Sequence, residues 1–348
     1  MRRAWLAAAT ILIAALGISM APGKALAQMS PWKKMADAPE GEEEVYGTAS
    51  GGKVYLMGGI APGWKPLGIV AEYDPVSNKW AKKKHMPQLI HHVGVAEANG
   101  KIYLMGGFLL PQGRPAWTPV NSAWEYDPKT DGWKKLAGLP KPLGSPACAA
   151  LEGKIYCTGG VRLPDGSKEN GIRPGQPLEQ PVDLLVYDIA SNKWSKKAPM
   201  ITPRNHFALN AVGGKLYAIG GRVGGPFVSG WSVPVGANEM YDPAADTWSV
   251  KRPMITPRSS IVGVAVNGRI HVMGGEEWKG TFIGVHKTHE SYDPKTNSWR
   301  TETPLLTPRH GFLGAAVGNK IFAISGANVA GGGGPHLGLT SNEMLELK

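Results

Sequence analysis

The feature that most limits what this chain can fold into is an interval. A Trp stands seven residues after the Tyr of each of five Tyr-Asp pairs, at Trp80, Trp133, Trp194, Trp248 and Trp299. Twenty-six residues after each of these comes a Gly pair or its equivalent: Gly106-Gly107, Gly159-Gly160, Gly220-Gly221, Gly274-Gly275 and Ser325-Gly326. A further Trp, Trp32, stands 26 residues before Gly58-Gly59. Self-similarity of this kind means one supersecondary unit repeated about an axis or along a line. The stretch from a Gly pair to the next Tyr-Asp varies and is longest between Gly160 and Tyr187. A constant segment alternating with a variable one is a scaffold carrying functional loops.

Each constant segment holds a β-hairpin. Its turn is Gly51-Gly52, Asn99-Gly100, Glu152-Gly153, Gly213-Gly214, Asn267-Gly268 or Gly318-Asn319, and all but Glu152 accept the positive φ that a two-residue hairpin loop demands. Flanking runs such as Lys215 to Ile219 have strand composition. A third strand ends at Tyr-Asp, and the Asp-Pro-x-x-x-x-Trp stretch turns into a fourth. The unit is thus a four-stranded antiparallel blade. The last repeat, from Asn319 to Lys348, stops at about its third strand and lacks a Trp. Trp32 supplies the missing one. The expected fold is therefore all-β: a six-bladed propeller whose last blade is completed by the N-terminal strand. Closure leaves no open sheet edge.

Paired Gly, Tyr-Asp and Trp in this order resemble the kelch repeat, over residues 28–348 in six copies. The resemblance implies a propeller in which the loops between strands two and three share one face with the links from strand four into the next blade. Three of those links share a signature: Met200-Ile201-Thr202-Pro203-Arg204, Met254-Ile255-Thr256-Pro257-Arg258 and Leu305-Leu306-Thr307-Pro308-Arg309. In kelch-type ubiquitin-ligase adaptors an Arg at this place lines a central funnel and binds acidic peptide. By that resemblance Arg204, Arg258 and Arg309 are expected to converge on the axis and grip a carboxylate or phosphate. The same offset gives Glu42, Ile90 and Leu143 in the other links. Two residues further on stand Glu44, His92, Ser145, His206, Ser260 and Gly311.

Residues 1–27 have the form of an export signal, with Arg2 and Arg3, an apolar run from Ala4 to Met20, and Ala25-Leu26-Ala27. Cleavage after Ala27 and a periplasmic or secreted location are the expectation, with no membrane span afterwards. Loss of Arg2, Arg3 and Lys24 lowers the formal charge from +11 to +8. The remaining Lys pairs recur at one repeat position, a solvated outer edge rather than a nucleic-acid groove. Cys148 and Cys157 flank the Glu152-Gly153 turn symmetrically, as a directly opposed non-hydrogen-bonded pair. In an oxidising compartment that predicts a disulfide.

The variable loops carry aromatics suited to stacking on a sugar or anchoring a partner: Trp64, Trp117, Trp231 and Trp278, with Phe108, Phe227 and Phe282. No metal or cofactor motif is legible. His286 and His289 point to opposite faces of a strand, and both Cys are committed to one hairpin, unlike the Cys-Tyr cross-link of kelch copper oxidases. Three functions compete. The first is a monomeric exported propeller that binds an acidic glycan or acidic peptide in an Arg-lined funnel. The second is a sugar mutarotase resembling the exported kelch sialate mutarotases, with His92, His206 and Glu44 as the acid–base candidates. The third is a structural envelope scaffold.

Overall fold

A computed structural model describes residues 32–61, 65–110, 116–227, 232–279, 282–331 and 338–348. The leader expected over 1–27, and two of the loop tryptophans, Trp64 and Trp231, lie outside the described residues. The chain forms six four-stranded antiparallel sheets. Blade 1 consists of Tyr46–Ser50, Lys53–Met57, Val70–Asp74 and Lys79–Lys82, in that order from the axis outward. The second strands (Lys53–Met57, Lys101–Met105, Lys154–Thr158, Lys215–Ile219, Arg269–Met273 and Lys320–Ile324) share one burial pattern, a half-buried cation followed by four buried residues. A strand covered on both faces reads as a continuous apolar run, and here the neighbouring blades cover it. The outer strands, such as Lys193–Lys197, are largely exposed. Their lysines sit on the sheet edge, where charge opposes edge-to-edge pairing.

The sixth blade closes as the Trp spacing requires. Lys33 pairs with Met344 and Lys34 with Glu343. Trp32 is buried with Val264, Leu305 and Phe312. The tryptophans also form a cyclic latch. Trp80, Trp133, Trp194, Trp248 and Trp299 donate their indole N–H to the carbonyls of Ala36, Lys84, Ala137, Ala198 and Arg252. Each acceptor lies four residues after the preceding blade's Trp. Trp32 donates to Thr303, four residues after Trp299, at 3.0 Å, and so completes the circle. The amide N–H groups of Ala36, Lys84, Ala137, Ala198 and Arg252 donate in turn to Asn78, Asp131, Asn192, Asp246 and Asn297. Those side chains also accept the blade's Tyr hydroxyl and sit at φ near +50°, where Asn and Asp are the tolerated non-Gly residues. The recurring spacing of Tyr and Trp is thus a hydrogen-bonded clasp between blades as well as an apolar filling.

Cys148 and Cys157 pair directly across their hairpin and form a disulfide, with Cα atoms 4.2 Å apart. Glu152 adopts φ +51° in the turn. The Gly pairs let the links pass close by. Gly221 has φ +93°, and a Cβ there would lie 2.6 Å from the Asn205 carbonyl oxygen.

Four of the variable loops add two-stranded ribbons: Ile60–Ala61 with Lys65–Pro66, Phe108–Leu109 with Thr118–Pro119, Arg222–Gly224 with Ser232–Pro234, and Glu276–Lys279 with Phe282–Val285. These change the expectation for the loop aromatics. Trp117 is not presented to solvent. It pairs through its backbone with Ile172 of the long loop after Gly160 and is buried with Phe108, Val161 and Ile172, against which Phe227 packs. Loops long enough to meet have buried their rings against one another. Trp278 is half-buried on the fourth ribbon.

Candidate functional site

The site grows from the six links that lead from an outer strand to the next inner strand. Each link must turn sharply upward into the strand. It does so at one residue, twelve after the Trp: Glu44, His92, Ser145, His206, Ser260 and Gly311, all with φ between 50° and 54°. Only Gly adopts this geometry without a steric cost, yet five of the six blades place a polar side chain there. All six residues line a cavity of about 180 Å³ that runs along the inner strands on the axis. Glu44, His92 and His206 also line a second, smaller chamber of about 40 Å³, roofed by Trp117, Pro226 and Phe227. They form the partition between the two.

The three arginines do not reach this axis, which corrects the expected funnel. Arg204, Arg258 and Arg309 are fully buried. Arg204 Nη1 donates to Glu239 at 2.9 Å, Arg258 Nη1 to Glu290 at 3.0 Å and Arg309 Nη2 to Glu343 at 2.5 Å. Each guanidinium also donates to carbonyls, including those of Ala218, Val272 and Ser325. The Arg position stands two residues before the left-handed one, and its side chain runs into the blade. The pairing leaves an internal record. Each blade with an Arg in its link has Glu two residues before its Tyr position. Leu143 instead meets Leu185 in one apolar cluster, and Ile90 packs near Trp124 in another. Glu42 has no cation hydrogen-bonded to its carboxylate among the described residues. It is buried, both carboxylate oxygens lack a hydrogen bond among the described residues, and burial, with the charge of Glu40, raises it to about 9.

Around the partition the side chains interlock. Glu44 Oε2 lies 3.2 Å from His92 Nε2 and accepts the Tyr46 hydroxyl at 3.0 Å. The His92 and His206 rings stand 4.9 Å apart. His206 Nδ1 contacts Asn205 Oδ1 at 2.5 Å, and His92 Nδ1 contacts His91 Nδ1 at 2.6 Å. Burial holds His92 and His206 well below the usual histidine range, and the fields of Arg222 and His310 push the same way. Burial likewise raises Glu44, against the opposing field of His310. The result is a set of neutral imidazoles beside a carboxyl group that resists ionisation.

Three participants were not legible from motif spacing. Arg222 donates to Glu276 at 2.7 Å and to Ser259 at 3.1 Å. His310 Nε2 donates to the Val329 carbonyl at 2.7 Å, which turns its Nδ1 toward Glu276 Oε2 at 3.5 Å. Burial pushes Glu276 up, but His310, Arg222, the Ser260 hydroxyl and the Gly331 N–H outweigh it and bring Glu276 down to about 2. A signal for two of them was present. Arg222 and Glu276 directly follow their Gly pairs, where the other blades have Ile60, Phe108, Val161 and Ala327. A charge at an otherwise apolar repeat position marks a site.

The kelch motif profile matches residues 47–87, 90–140 and 203–255. The chain is a kelch-repeat propeller. Kelch-like protein 36 of Bos taurus is 27% identical over 284 residues, covering 80% of this chain and 42% of that protein. Beta-scruin of Limulus polyphemus is 30% identical over 209 residues, covering 59% of this chain and 21% of that protein. The kelch propeller therefore spans well under half the length of these relatives. A solved structure titled "Structure of YjhT" superposes with a TM-score of 0.71 at 17% identity, covering 90% of this chain and 97% of that one, a likeness of fold. Kelch propellers mediate protein interactions, and this one has the architecture for it. Among the described residues no helix is long and apolar enough to cross a membrane.

Proposed function

We propose that this kelch propeller binds a small, uncharged, hydroxyl-rich molecule on its axis and moves a proton on it, the chemistry of a sugar-ring isomerase. One observation carries the reading. Glu44, His92 and His206 come from three blades, sit in a backbone conformation that favours Gly, and meet at the partition between two axial cavities. The left-handed conformation is common to all six links, so it is the choice of Glu and His there that marks these three. A carboxyl and a neutral imidazole in reach of each other are a donor–acceptor pair, and such a pair contributes about 10²–10⁴-fold to a proton transfer. The cavity volume favours a ligand smaller than the drug-sized molecules that fill about 300–1,000 Å³.

The acidic glycan or peptide gives way to an uncharged ligand on electrostatic grounds. Arg222, the guanidinium that lines the chamber, is already paired with Glu276 at 2.7 Å, and burial raises Glu43 and Glu44 toward their neutral forms, so a ligand anion would meet an engaged cation and two protonated carboxyls. We place the protein outside the cytoplasm, and the Cys148–Cys157 disulfide supports that. The test is a thermal-shift screen with neutral monosaccharides and with sugar acids, followed by NMR saturation transfer between the anomers of any hit. A neutral sugar should raise Tm, and His206→Ala should slow anomer exchange by about 100-fold. Stabilisation by sugar acids alone, or exchange unchanged in the variant, would overturn the reading. A protein-interaction reading has its own observation. Ile201, Ile255 and Leu306 occupy one repeat position in three consecutive links and are about half exposed, an apolar arc suited to a protein partner.

A further inference from the structure

We infer that the axial partition is a binding site for a divalent transition-metal ion, held by Glu44, His92 and His206. The three donor atoms lie within 4.8 Å of one another. Glu44 Oε2 and His92 Nε2, 3.2 Å apart, already span the ligand–ligand edge of a tetrahedral centre with bonds of about 2.0–2.1 Å. Two imidazoles and one carboxylate are the donor set of zinc and of non-haem iron(II) sites with open positions.

The independent observation lies in the nitrogens. His92 Nε2 and His206 Nε2 are both buried, and neither has a hydrogen bond among the described residues. Each ring is held from its other side. Asn205 Oδ1 can only accept, so His206 Nδ1 carries the proton and its Nε2 presents a lone pair to the axis. His91 Nδ1 can accept from His92 Nδ1 and leave His92 in the same tautomer. A polar partner that fixes the ring and frees the opposite nitrogen is what metal-ligating histidines have. Glu44 is oriented the same way by the Tyr46 hydroxyl.

Sequence offers no ligand spacing for such a site, because the three donors are 48 and 114 positions apart and come from links one, two and four. The inference concerns the same ring as the proposed function but is read separately. With the metal bound, Glu44 and both imidazoles are ligands, so anomer exchange becomes sensitive to chelator. Exchange that proceeds in the chelated protein would support the proton-transfer reading alone.

The experiment uses the full folded chain, stripped with EDTA and titrated with Zn(II) by calorimetry and with Co(II) by visible absorption. One equivalent should bind, with a Co(II) spectrum of low coordination number. His206→Gly suits the left-handed backbone and should keep the fold by circular dichroism while abolishing binding. Asn205→Ala, which only positions the ring, should weaken Zn(II) affinity about 10–100-fold, and Asn205→Asp should restore it. X-ray absorption of the Zn(II)-loaded parent protein should resolve two imidazoles and oxygen. Absence of stoichiometric binding, or binding unchanged in His206→Gly and Asn205→Ala, would overturn the site. An absorption spectrum lacking two imidazoles would do the same without any variant.

Discussion

Glu42 shows how a single residue can carry a cost the rest of the repeat avoids. Its counterparts are an Arg paired with Glu or an aliphatic residue among apolar neighbours, whereas Glu42 is buried with neither carboxylate oxygen hydrogen-bonded among the described residues. Its carboxyl is raised from 4.5 to about 9. Between those values the native state keeps a proton that the unfolded chain releases, so stability falls as pH rises. Unfolding in denaturant with EDTA present, from pH 7 to 8.5, should show the parent losing stability more steeply than Glu42→Gln, by up to about 1.4 kcal/mol per pH unit. Equal slopes would place the ionised form of Glu42 in a hydrated environment. The left-handed residues of the links carry the opposite lesson. Their strain is shared by every blade, so the backbone imposes it, but the choice of Glu and His over Gly is particular to blades one, two and four.

At the scale of elements, each link is tied to the third strand of the blade it enters, by an ion pair in three blades and by apolar packing in two. Removing one charge leaves the other buried, which costs about 3–5 kcal/mol, while replacing both by apolar residues of similar size is close to neutral. Arg258→Leu should therefore destabilise strongly, and Arg258→Leu with Glu290→Leu should recover most of the loss, since Leu143 and Leu185 already make that contact in blade 3. Denaturant midpoints of the two variants check this. A double variant no better than the single one would show that the carbonyl contacts of Arg258, and not its charge, hold the link.

For the whole molecule, closure rests on a short piece of chain far from its partners in sequence. Trp32 donates to Thr303 and packs beside blade 5 while Lys33 and Lys34 pair with the third strand of blade 6. Trp32→Ala removes both the packing and one link of the cyclic latch. It should cost about 3–5 kcal/mol and increase amide exchange first in Asn342–Glu346, the strand that would become an edge. Exchange rising uniformly in all six blades would mean that the ring opens as one cooperative unit.

The repeat interval and the unpaired Trp32 determined the fold from the sequence alone. Blade count, strand number, the disulfide and the closing strand all follow from local spacing, because each blade is built from contiguous residues whose contacts repeat in register. The site did not follow. Arg204, Arg258 and Arg309 share an offset with residues that line funnels elsewhere, but offset fixes only where a backbone lies. Which way a side chain turns depends on whether a carboxylate waits inside the blade, and Glu239, Glu290 and Glu343 do. Glu44, His92 and His206 could be named as candidates from one aligned column, yet their meeting needed the ring. Only closure about an axis brings residues from links one, two and four within a few ångströms, and only packing excludes the water that would otherwise leave each of them an ordinary surface group.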